Sequence, residues 1–153
     1  MKKQRKRSAE PAINLRLWTY AEALKLVPYL RAVVGSLRDN WLELGLARQR
    51  MRRLDARPGR SDRQSLILKD EYTRDADRAE AKLEETLGEM NALSAYCLDP
   101  AGGQALIPFR HDGALAWFVF DLFGSQGLTA WRLYSDSLET RRPLTELDKS
   151  QSA

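Results

Sequence analysis

The residue types that could perform catalysis are few in this 153-residue chain. His111 is the only histidine and Cys97 the only cysteine, which excludes metal sites built from several such ligands and most schemes in which a histidine activates a nucleophile. His111 and Asp112 could act together with Ser125 only if the two loops that carry them converge. We interpret the histidine as a polar turn residue and the cysteine as a packed side chain. We therefore expect no catalytic residues, no metal site and no cofactor.

One set of arginines has the composition of an anion-binding site. It comprises Arg110, Arg132, Arg141 and Arg142. These side chains would converge if the last strand pairs with residues 104–110, and guanidinium groups bind phosphate and carboxylate in a bidentate manner. They could instead pair within the chain with Asp121, Asp136 and Glu139. An enzyme acting on an anionic small molecule would need this cluster together with an enclosed pocket that contains an acid or a base.

A second set of basic residues could bind nucleic acid through its phosphates. Part of it forms an N-terminal arm with Lys2, Lys3, Arg5, Lys6 and Arg7. Because Glu10 is the only acid there, this arm accounts for the whole net charge of +4. The rest lies near the middle of the chain and includes Arg50, Arg53, Arg57 and Arg60. The alternatives are a solvated terminus and a helix surface whose arginines pair with the acids of the following segment.

Two long amphipathic helices are predicted to position these side chains. Thr19 and Glu22 have the spacing of a capping box that starts the first helix. Apolar residues then recur at steps of three and four, interrupted only by Arg48: Val27, Leu30, Val34, Leu37, Trp41, Leu44 and Met51. This period is close to that of a coiled coil, so it predicts a seam that faces a partner helix. Pro28 predicts either that a short first helix ends near Leu26 or that the helix kinks.

The two helices are predicted to form an antiparallel hairpin. Residues 57–60 contain Pro58 and Gly59, which predict a turn, and Ser61 with Gln64 predicts a second capping box. The second helix extends to about Leu93. A hairpin of this length has little else in the chain to cover it, so we expect it to pair with a second copy through Val34, Leu37, Trp41, Leu44 and Met51.

After Leu93 the period of the apolar residues changes from helical to twofold, which predicts strands. The predicted strands are residues 96–98, 104–110, 114–122 and 128–134. Pro108 indicates an edge or bulged strand, and the residues from His111 to Gly113 indicate a hairpin turn. The third strand is apolar on both faces, so we expect it to be central or at an interface.

The predicted fold class is α+β. A long antiparallel, coiled-coil-like helical hairpin (residues 19–94) is followed by a small antiparallel β region of three to four strands (95–144). These parts form a single domain over residues 13–144. We expect residues 1–12 to be a disordered basic arm and residues 145–153 to be a flexible tail.

Several short motifs resemble a bacterial family of domains of unknown function, family 2203, over about residues 17–144. The matching residues include Trp18 to Ala23, Pro28 to Leu30, Leu98 to Pro100, Gly103, Pro108, Asp112-Gly113, Trp131 and Arg141 to Leu144. Each motif is short, and the resemblance rests on their order and spacing. It implies the same plan, a helical hairpin with a small β region, and no established activity.

The chain also departs from the pattern of that family at polar positions. Leu106 stands where the family typically has an aspartate ahead of Phe-Pro, and Ser125 stands where it has a glutamate after glycine. Arg132 and Leu133 replace a His-Glu pair after tryptophan. If those family residues form a metal or acid–base site, this chain lacks it. We therefore interpret the chain as a divergent, non-catalytic member.

Two hypotheses about function follow. The first is a small cytoplasmic, non-enzymatic interaction or scaffold module that self-associates, most simply as a homodimer. The alternative is an accessory nucleic-acid or ribosome-binding protein that uses the basic arm and the arginine-rich hairpin tip. We expect no membrane association, because no apolar run approaches the roughly 20 residues that a membrane span requires and no signal peptide is evident.

Overall fold

The computed structural model describes residues 15–147. In order, its elements are α1 (Tyr20–Asp55), α2 (Arg63–Ala92), β1 (Tyr96–Asp99), β2 (Gln104–His111), β3 (Ala114–Asp121), β4 (Leu128–Leu133) and a 3-10 helix (Leu144–Leu147). The helices form a hairpin, and the strands form one antiparallel sheet in the order β1-β2-β3-β4. The predicted α+β class is confirmed, and all four strands end within one residue of the expected positions. The predicted basic arm and residues 148–153 of the predicted tail lie outside the described residues.

The start of α1 is the capping box that the sequence predicts. The Thr19 hydroxyl accepts a hydrogen bond from the Glu22 N–H (3.2 Å), and the Glu22 carboxylate accepts one from the Thr19 N–H (3.0 Å). The predicted break near Leu26 is wrong, because α1 continues through Pro28 to Asp55. Proline removes the N–H that would bond to the Leu24 carbonyl. Leu24 and Pro28 are both exposed, so water can solvate that carbonyl.

The start of α2 lies one residue later than the sequence predicts. Asp62, rather than Ser61, is the N-cap, and its carboxylate accepts a hydrogen bond from the Ser65 N–H at 2.8 Å. A carboxylate at this position satisfies a free backbone donor and also interacts favourably with the positive end of the helix dipole. The same hydrogen bond is the main reason why the pKa of Asp62 is lowered.

The seam between the helices is filled from within the chain. On α1 the buried residues include Leu30, Val33, Val34, Leu37, Leu44 and Ala47, and on α2 they are Ala76, Ala79, Leu83, Thr86 and Met90. The two alanines on α2 remove bulk where the helices face each other. Thr86 is the polar exception, and its hydroxyl donates to the Lys82 carbonyl at 2.8 Å. The coiled-coil-like stripe of α1 is therefore covered by α2 of the same chain.

The sheet packs its inner face on the hairpin. The fully buried aromatic residues of this face are Phe109, Phe118 and Phe120. The rings of Phe109 and Phe118 stack with their centroids 3.9 Å apart, and Tyr20 of α1 lies 5.7 Å from Phe118. Aromatic contacts of this kind add to the stabilisation from buried apolar area. The inner face of the sheet and the hairpin therefore share one hydrophobic core.

The outer face of the sheet carries a second, smaller apolar cluster. Leu106, Val119 and Ala130 are buried there, and Leu98 and Trp117 pack against them. Val119 pairs with Leu106 on one side and with Ala130 on the other, so the cluster crosses three strands. This arrangement agrees with the prediction that β3 is central and apolar on both faces.

Pro108 lies where β2, although an inner strand, has no neighbouring strand on one side. β1 pairs only with residues 104–106 of β2, so Pro108 lies beyond its end. There the Pro108 carbonyl accepts a hydrogen bond from the Trp18 N–H at 2.9 Å. The N–H that proline lacks is therefore not needed for pairing.

The turns at one end of the sheet fasten it to α1. The Arg31 guanidinium donates hydrogen bonds to the carbonyls of Leu122 (3.2 Å), Gly124 (3.1 Å) and Ser125 (3.0 Å). Gly127 has a φ of +82°, and a Cβ added there would lie 2.7 Å from a Val27 methyl group. Only glycine therefore fits this turn without displacing the helix.

The C-terminal boundary of the folded unit lies later than the sequence predicts. Residues 145–147 were expected to belong to a flexible tail, but Leu144–Leu147 form a 3-10 helix and Leu147 is buried in the main core. The twofold and helical periods that mark longer elements cannot reveal a single apolar anchor of this kind.

Candidate functional site

The predicted arginine cluster separates into side chains with different roles. Arg142 forms a bidentate ion pair with Asp136, with N–O distances of 2.7 and 2.9 Å, and its guanidinium lies 5.2 Å from the Trp131 ring centroid. The hydrogen bond from Arg142, followed by the one from the Leu133 N–H, lowers the pKa of Asp136 to about 2. Arg142 is therefore paired with an acid of the same chain, which was the predicted alternative to an anion-binding site.

Arg132 is also used within the chain. It is only 4% exposed, and its guanidinium donates to the carbonyls of Asp136 (2.6 Å) and Ser137 (3.2 Å). These hydrogen bonds hold the loop after β4 against the sheet. A guanidinium with these partners stabilises the loop and is not available to a ligand.

Arg110 and Arg141 lie at opposite ends of the outer face of the sheet. Arg110 is exposed near the end of β2, and no acid lies within ion-pair distance of it in the described chain. Arg141 donates to the carbonyls of Leu138 (2.6 Å) and Thr140 (2.8 Å), and its other terminal nitrogen lies 3.4 Å from the Gln104 side-chain oxygen. The four arginines therefore do not converge on one anion.

The Asp136–Arg142 pair makes a prediction for acid unfolding. Because the pKa of Asp136 falls from 3.8 to about 2 on folding, its contribution is complete above pH 3.8 and is lost as the pH falls towards 2. At pH 5 we expect the denaturant midpoint of the Asp136→Asn variant to be lower than that of the wild type. Between pH 3.8 and about 2 the midpoint of the variant should decrease less than that of the wild type.

The control for this pair is the Arg142→Met variant, measured by the same denaturant series. It removes the main cause of the lowered pKa but keeps the hydrogen bond from the Leu133 N–H, so it should lose a large part of the acid dependence that Asp136→Asn removes. A wild-type acid dependence in the Asp136→Asn variant would contradict the assignment.

The potential nucleophile and base do not form a catalytic set. His111 Nε2 lies 3.4 Å from Asp112 Oδ2, whereas Ser125 lies in the turn at the other end of β3. His111 is the last residue of β2 rather than a polar turn residue, and its ring lies 4.6 Å from Trp131. Its Nδ1 is buried without a hydrogen-bond partner in the described part of the chain. Cys97 is half-buried, and burial raises the pKa of its thiol.

The hairpin tip retains exposed arginines around a polar hollow of about 220 Å³. Arg57 and Arg60 line this hollow, and Arg57 lies 3.4 Å from the Ser65 hydroxyl. Arg50 lies over the Tyr72 ring at 5.8 Å, and Arg53 is exposed. The arm residues Lys2, Lys3, Arg5, Lys6 and Arg7 lie outside the described residues.

One ion pair across the hairpin joins an acid of α2 to an arginine of α1, as the sequence suggests, and a second joins a lysine of α2 to an acid of α1. Arg48 of α1 lies 3.7 Å from Glu80, and Lys69 of α2 lies 3.0 Å from Asp55 of α1. Other acids of α2 pair along their own helix, in the pairs Asp70–Arg74, Asp75–Arg78 and Glu85–Lys82. The distal hairpin therefore has a mixed, partly paired charge surface.

The structure places the predicted self-association residues mainly inside the chain. Val34, Leu37 and Leu44 are buried in the core, and Met51 is half-buried with its sulfur accepting a hydrogen bond from the Thr73 hydroxyl at 3.4 Å. Trp41 alone among the five remains on the surface. The prediction was wrong about the occupant of the seam, because a 3.5-residue period indicates a partner helix without saying which molecule supplies it.

A different apolar face of α1 is exposed next to that seam. Leu42, Leu46 and Ala47 line a hollow of about 270 Å³ between the helices, with Asp75 of α2 on its opposite side. Glu43 and Arg50 also line this hollow, so it has an apolar floor and charged margins. Neither Leu42 nor Leu46 is among the predicted self-association residues.

The described residues provide no grouping suited to a metal. Among residues 15–147, no three His, Cys, Asp or Glu side chains lie close enough together to bind a metal ion. Neither α1 nor α2 is apolar enough over its length to cross a bilayer. Of the positions that depart from the family pattern, Leu106 and Arg132 are on strands and Ser125 is in the turn between β3 and β4.

Comparison with known proteins identifies a family but no individual relative. The family model DUF2203, described as an uncharacterized conserved protein, matches residues 16–144. Searches of the curated proteins and of the solved structures returned no match. The matched region spans the hairpin, the sheet and the start of the final 3-10 helix, which confirms the resemblance inferred from the motifs. The chain therefore belongs to the DUF2203 family.

Proposed function

We propose that the protein is a cytoplasmic, non-enzymatic interaction module that forms a homodimer through the distal half of its helical hairpin. One observation carries this proposal. The face of α1 that docks on the turns of the sheet continues beyond the sheet, and there its apolar side chains are uncovered. A second copy of the chain is the occupant that best fits this face.

The docking face follows a helical period along α1. Arg31, Gly35, Arg38, Leu42 and Gly45 succeed one another at alternating steps of four and three residues, so they share one side of the helix. Arg31 bonds to the β3–β4 turn, a Cβ at Gly35 would be 3.9 Å from Leu122, and Arg38 donates to the Ala101 carbonyl at 2.8 Å. Leu42 and Gly45 continue this side past those contacts.

The uncovered part of this face is apolar. Trp41, Leu42 and Leu46 are 45%, 44% and 44% exposed. Gly45 lies among them with open space where its side chain would be, so another helix can approach the backbone closely. Adjacent large apolar side chains on a surface are typical of interaction sites. The neighbouring hollow lined by Leu42 and Leu46 can receive a side chain from the partner.

The charges beside this face favour an antiparallel pair of hairpins. Asp39 precedes Leu42 and Leu46 and Glu43 lies between them, whereas Arg50 and Arg53 follow them. Arg38, on the same side of the helix, donates to the Ala101 carbonyl. A twofold axis near Gly45 brings the acids of one copy towards the arginines of the other, and the same patch then contacts itself. A parallel pair would place like charges together.

Leu42→Glu combined with Leu46→Glu tests the proposal. Burying an unpaired carboxylate in an interface costs on the order of several kcal/mol. The double variant introduces two such groups. We expect the double variant to be a monomer in size-exclusion chromatography with light scattering, under conditions in which the wild type is a dimer. Circular dichroism should show unchanged helix content, because both side chains are on the surface.

Leu24→Glu is the matched control. Leu24 is also a leucine of α1 and is 42% exposed, but it lies 18 residues before Leu42, or about 27 Å along the helix. This variant should remain dimeric. Equal molar masses for the wild type and both variants would contradict an interface at Leu42 and Leu46.

A further inference from the structure

We propose that the outer face of the sheet binds single-stranded nucleic acid, with bases stacking on Tyr96, Trp117 and Tyr134 and with a phosphate bound by Arg110. This surface is separate from the hairpin face. The proposal therefore does not depend on self-association.

The three aromatic residues form a diagonal row across the sheet. Tyr96 pairs with Leu106 of the outer cluster, so its side chain lies on the outer face at the β1 edge. Trp117 is part of the same cluster on β3. Tyr134 follows the last residue of β4, and its N–H donates to the Leu115 carbonyl at 3.0 Å. From strand spacings, neighbouring members of the row are roughly 8–12 Å apart.

These aromatic side chains are available to a ligand. Tyr96 and Tyr134 are 58% and 67% exposed, and Trp117 is partly exposed. Beneath them, Leu106 and Val119 form a buried floor, so the rings project from a rigid surface. Aromatic side chains on a sheet are a common platform for stacking unpaired bases.

The charges on the same face favour an anionic partner. Arg110 is exposed beside the aromatic row, and Arg141 reaches Gln104 at the other end of β2. Asp99 and Asp121 are the acids at the strand positions paired with Gln104. The Asp99 carboxylate accepts a hydrogen bond from the Gly102 N–H at 3.0 Å, and the Asp121 carboxylate accepts one from the Phe123 N–H at 2.9 Å. Asp136, in the neighbouring loop, is neutralised by Arg142.

Aromatic rings combined with guanidinium groups distinguish this face from the hairpin tip. The tip has arginines but, within residues 15–147, offers little aromatic surface for stacking, because Tyr72 already lies under Arg50. In a duplex the bases stack on each other and are not available to the rings. The sheet face therefore fits a single strand better than a duplex.

Fluorescence anisotropy with a labelled oligothymidylate tests the proposal on the full-length protein. We expect binding to this single strand at low salt and at least tenfold weaker binding to a duplex of equal length. The Tyr96→Ala and Tyr134→Ala substitutions should each weaken single-strand binding by about tenfold, the range expected for loss of one stacked base. Arg110→Ala should reduce the slope of log affinity against log salt concentration by about one, the change expected for loss of one phosphate contact.

Two full-length controls locate the binding surface. One replaces the five basic arm residues with alanine, and the other combines Arg53→Ala and Arg60→Ala at the hairpin tip. Both should retain the preference for a single strand and the sensitivity to Tyr96→Ala and Tyr134→Ala. The Leu42→Glu and Leu46→Glu pair should also bind normally. Absence of single-strand binding, or binding that is lost in either control but unaffected by both tyrosine substitutions, would overturn the proposal.

Discussion

Replacing Phe118 with alanine is expected to lower the free energy of unfolding by about 3–5 kcal/mol, the cost typical of removing a buried aromatic ring. Phe118 is fully buried. Its ring stacks on Phe109 at 3.9 Å and lies 5.7 Å from Tyr20 of α1, so the substitution leaves a cavity where the sheet meets the hairpin. Denaturant unfolding at a fixed protein concentration measures the effect, because self-association would add to the apparent stability.

Tyr134→Ala is the control for this substitution. It removes an aromatic ring from the same sheet, but that ring is 67% exposed, so the expected change is within about 0.5 kcal/mol. Equal losses for the two variants would contradict a core shared by the sheet and the hairpin.

The second large effect is expected for Arg31→Met, which retains much of the apolar stem and removes the guanidinium. The carbonyls of three residues between β3 and β4 lose the side chain that donates to them. We expect a loss of roughly 2–4 kcal/mol, since a hydrogen bond to a charged group contributes about 1.5–3 kcal/mol and neighbouring bonds are not additive. Protection of the turn amides against hydrogen exchange should fall more than protection of α2.

Arg38→Met is the matched substitution, about two helical turns further along the same side of α1. Arg38 makes one such bond, to the Ala101 carbonyl, and lies 5.0 Å from the Phe123 ring centroid. It should cost less than Arg31→Met, roughly 1–2 kcal/mol. A larger loss for Arg38→Met would mean that the turn containing Gly124 is held mainly by other contacts.

Local chemistry explains which parts of the fold could be predicted. Thr19 and Glu22 satisfy each other's backbone donors without help from the rest of the chain, so their spacing identified the helix start. Asp112 and Gly113 both have positive φ, at +50° and +78°, and this pair of residue types is strongly preferred in such turns. The apolar residues on both faces of β3 likewise predicted a central strand or one at an interface.

Contacts between distant residues explain most of what could not be predicted. Arg31 donates hydrogen bonds to carbonyls 91 to 94 residues away, and no local sequence pattern predicts these contacts. Arg132 and Arg110 have the same residue type and similar neighbours, yet one is buried under a loop and the other is exposed. The four predicted arginines do not converge for this reason, because the loop after β4 binds three of them, Arg132, Arg141 and Arg142.

The self-association residues show a related limit. The period through Val34, Leu37 and Leu44 correctly indicated a buried stripe, but α2 covers it. The uncovered residues Leu42 and Leu46 became distinguishable only once the extent of the sheet along α1 was known. Their exposure is a property of where the sheet ends, which sequence spacing does not encode.

The molar mass of the full-length wild-type protein, measured by sedimentation equilibrium over a series of concentrations, tests the central claim most directly. We predict a reversible equilibrium that reaches twice the 17.5 kDa of one chain, and a shift of that equilibrium to the monomer in the Leu42→Glu, Leu46→Glu variant. A mass of 17.5 kDa at every concentration would contradict the claim that the distal hairpin is a self-association surface.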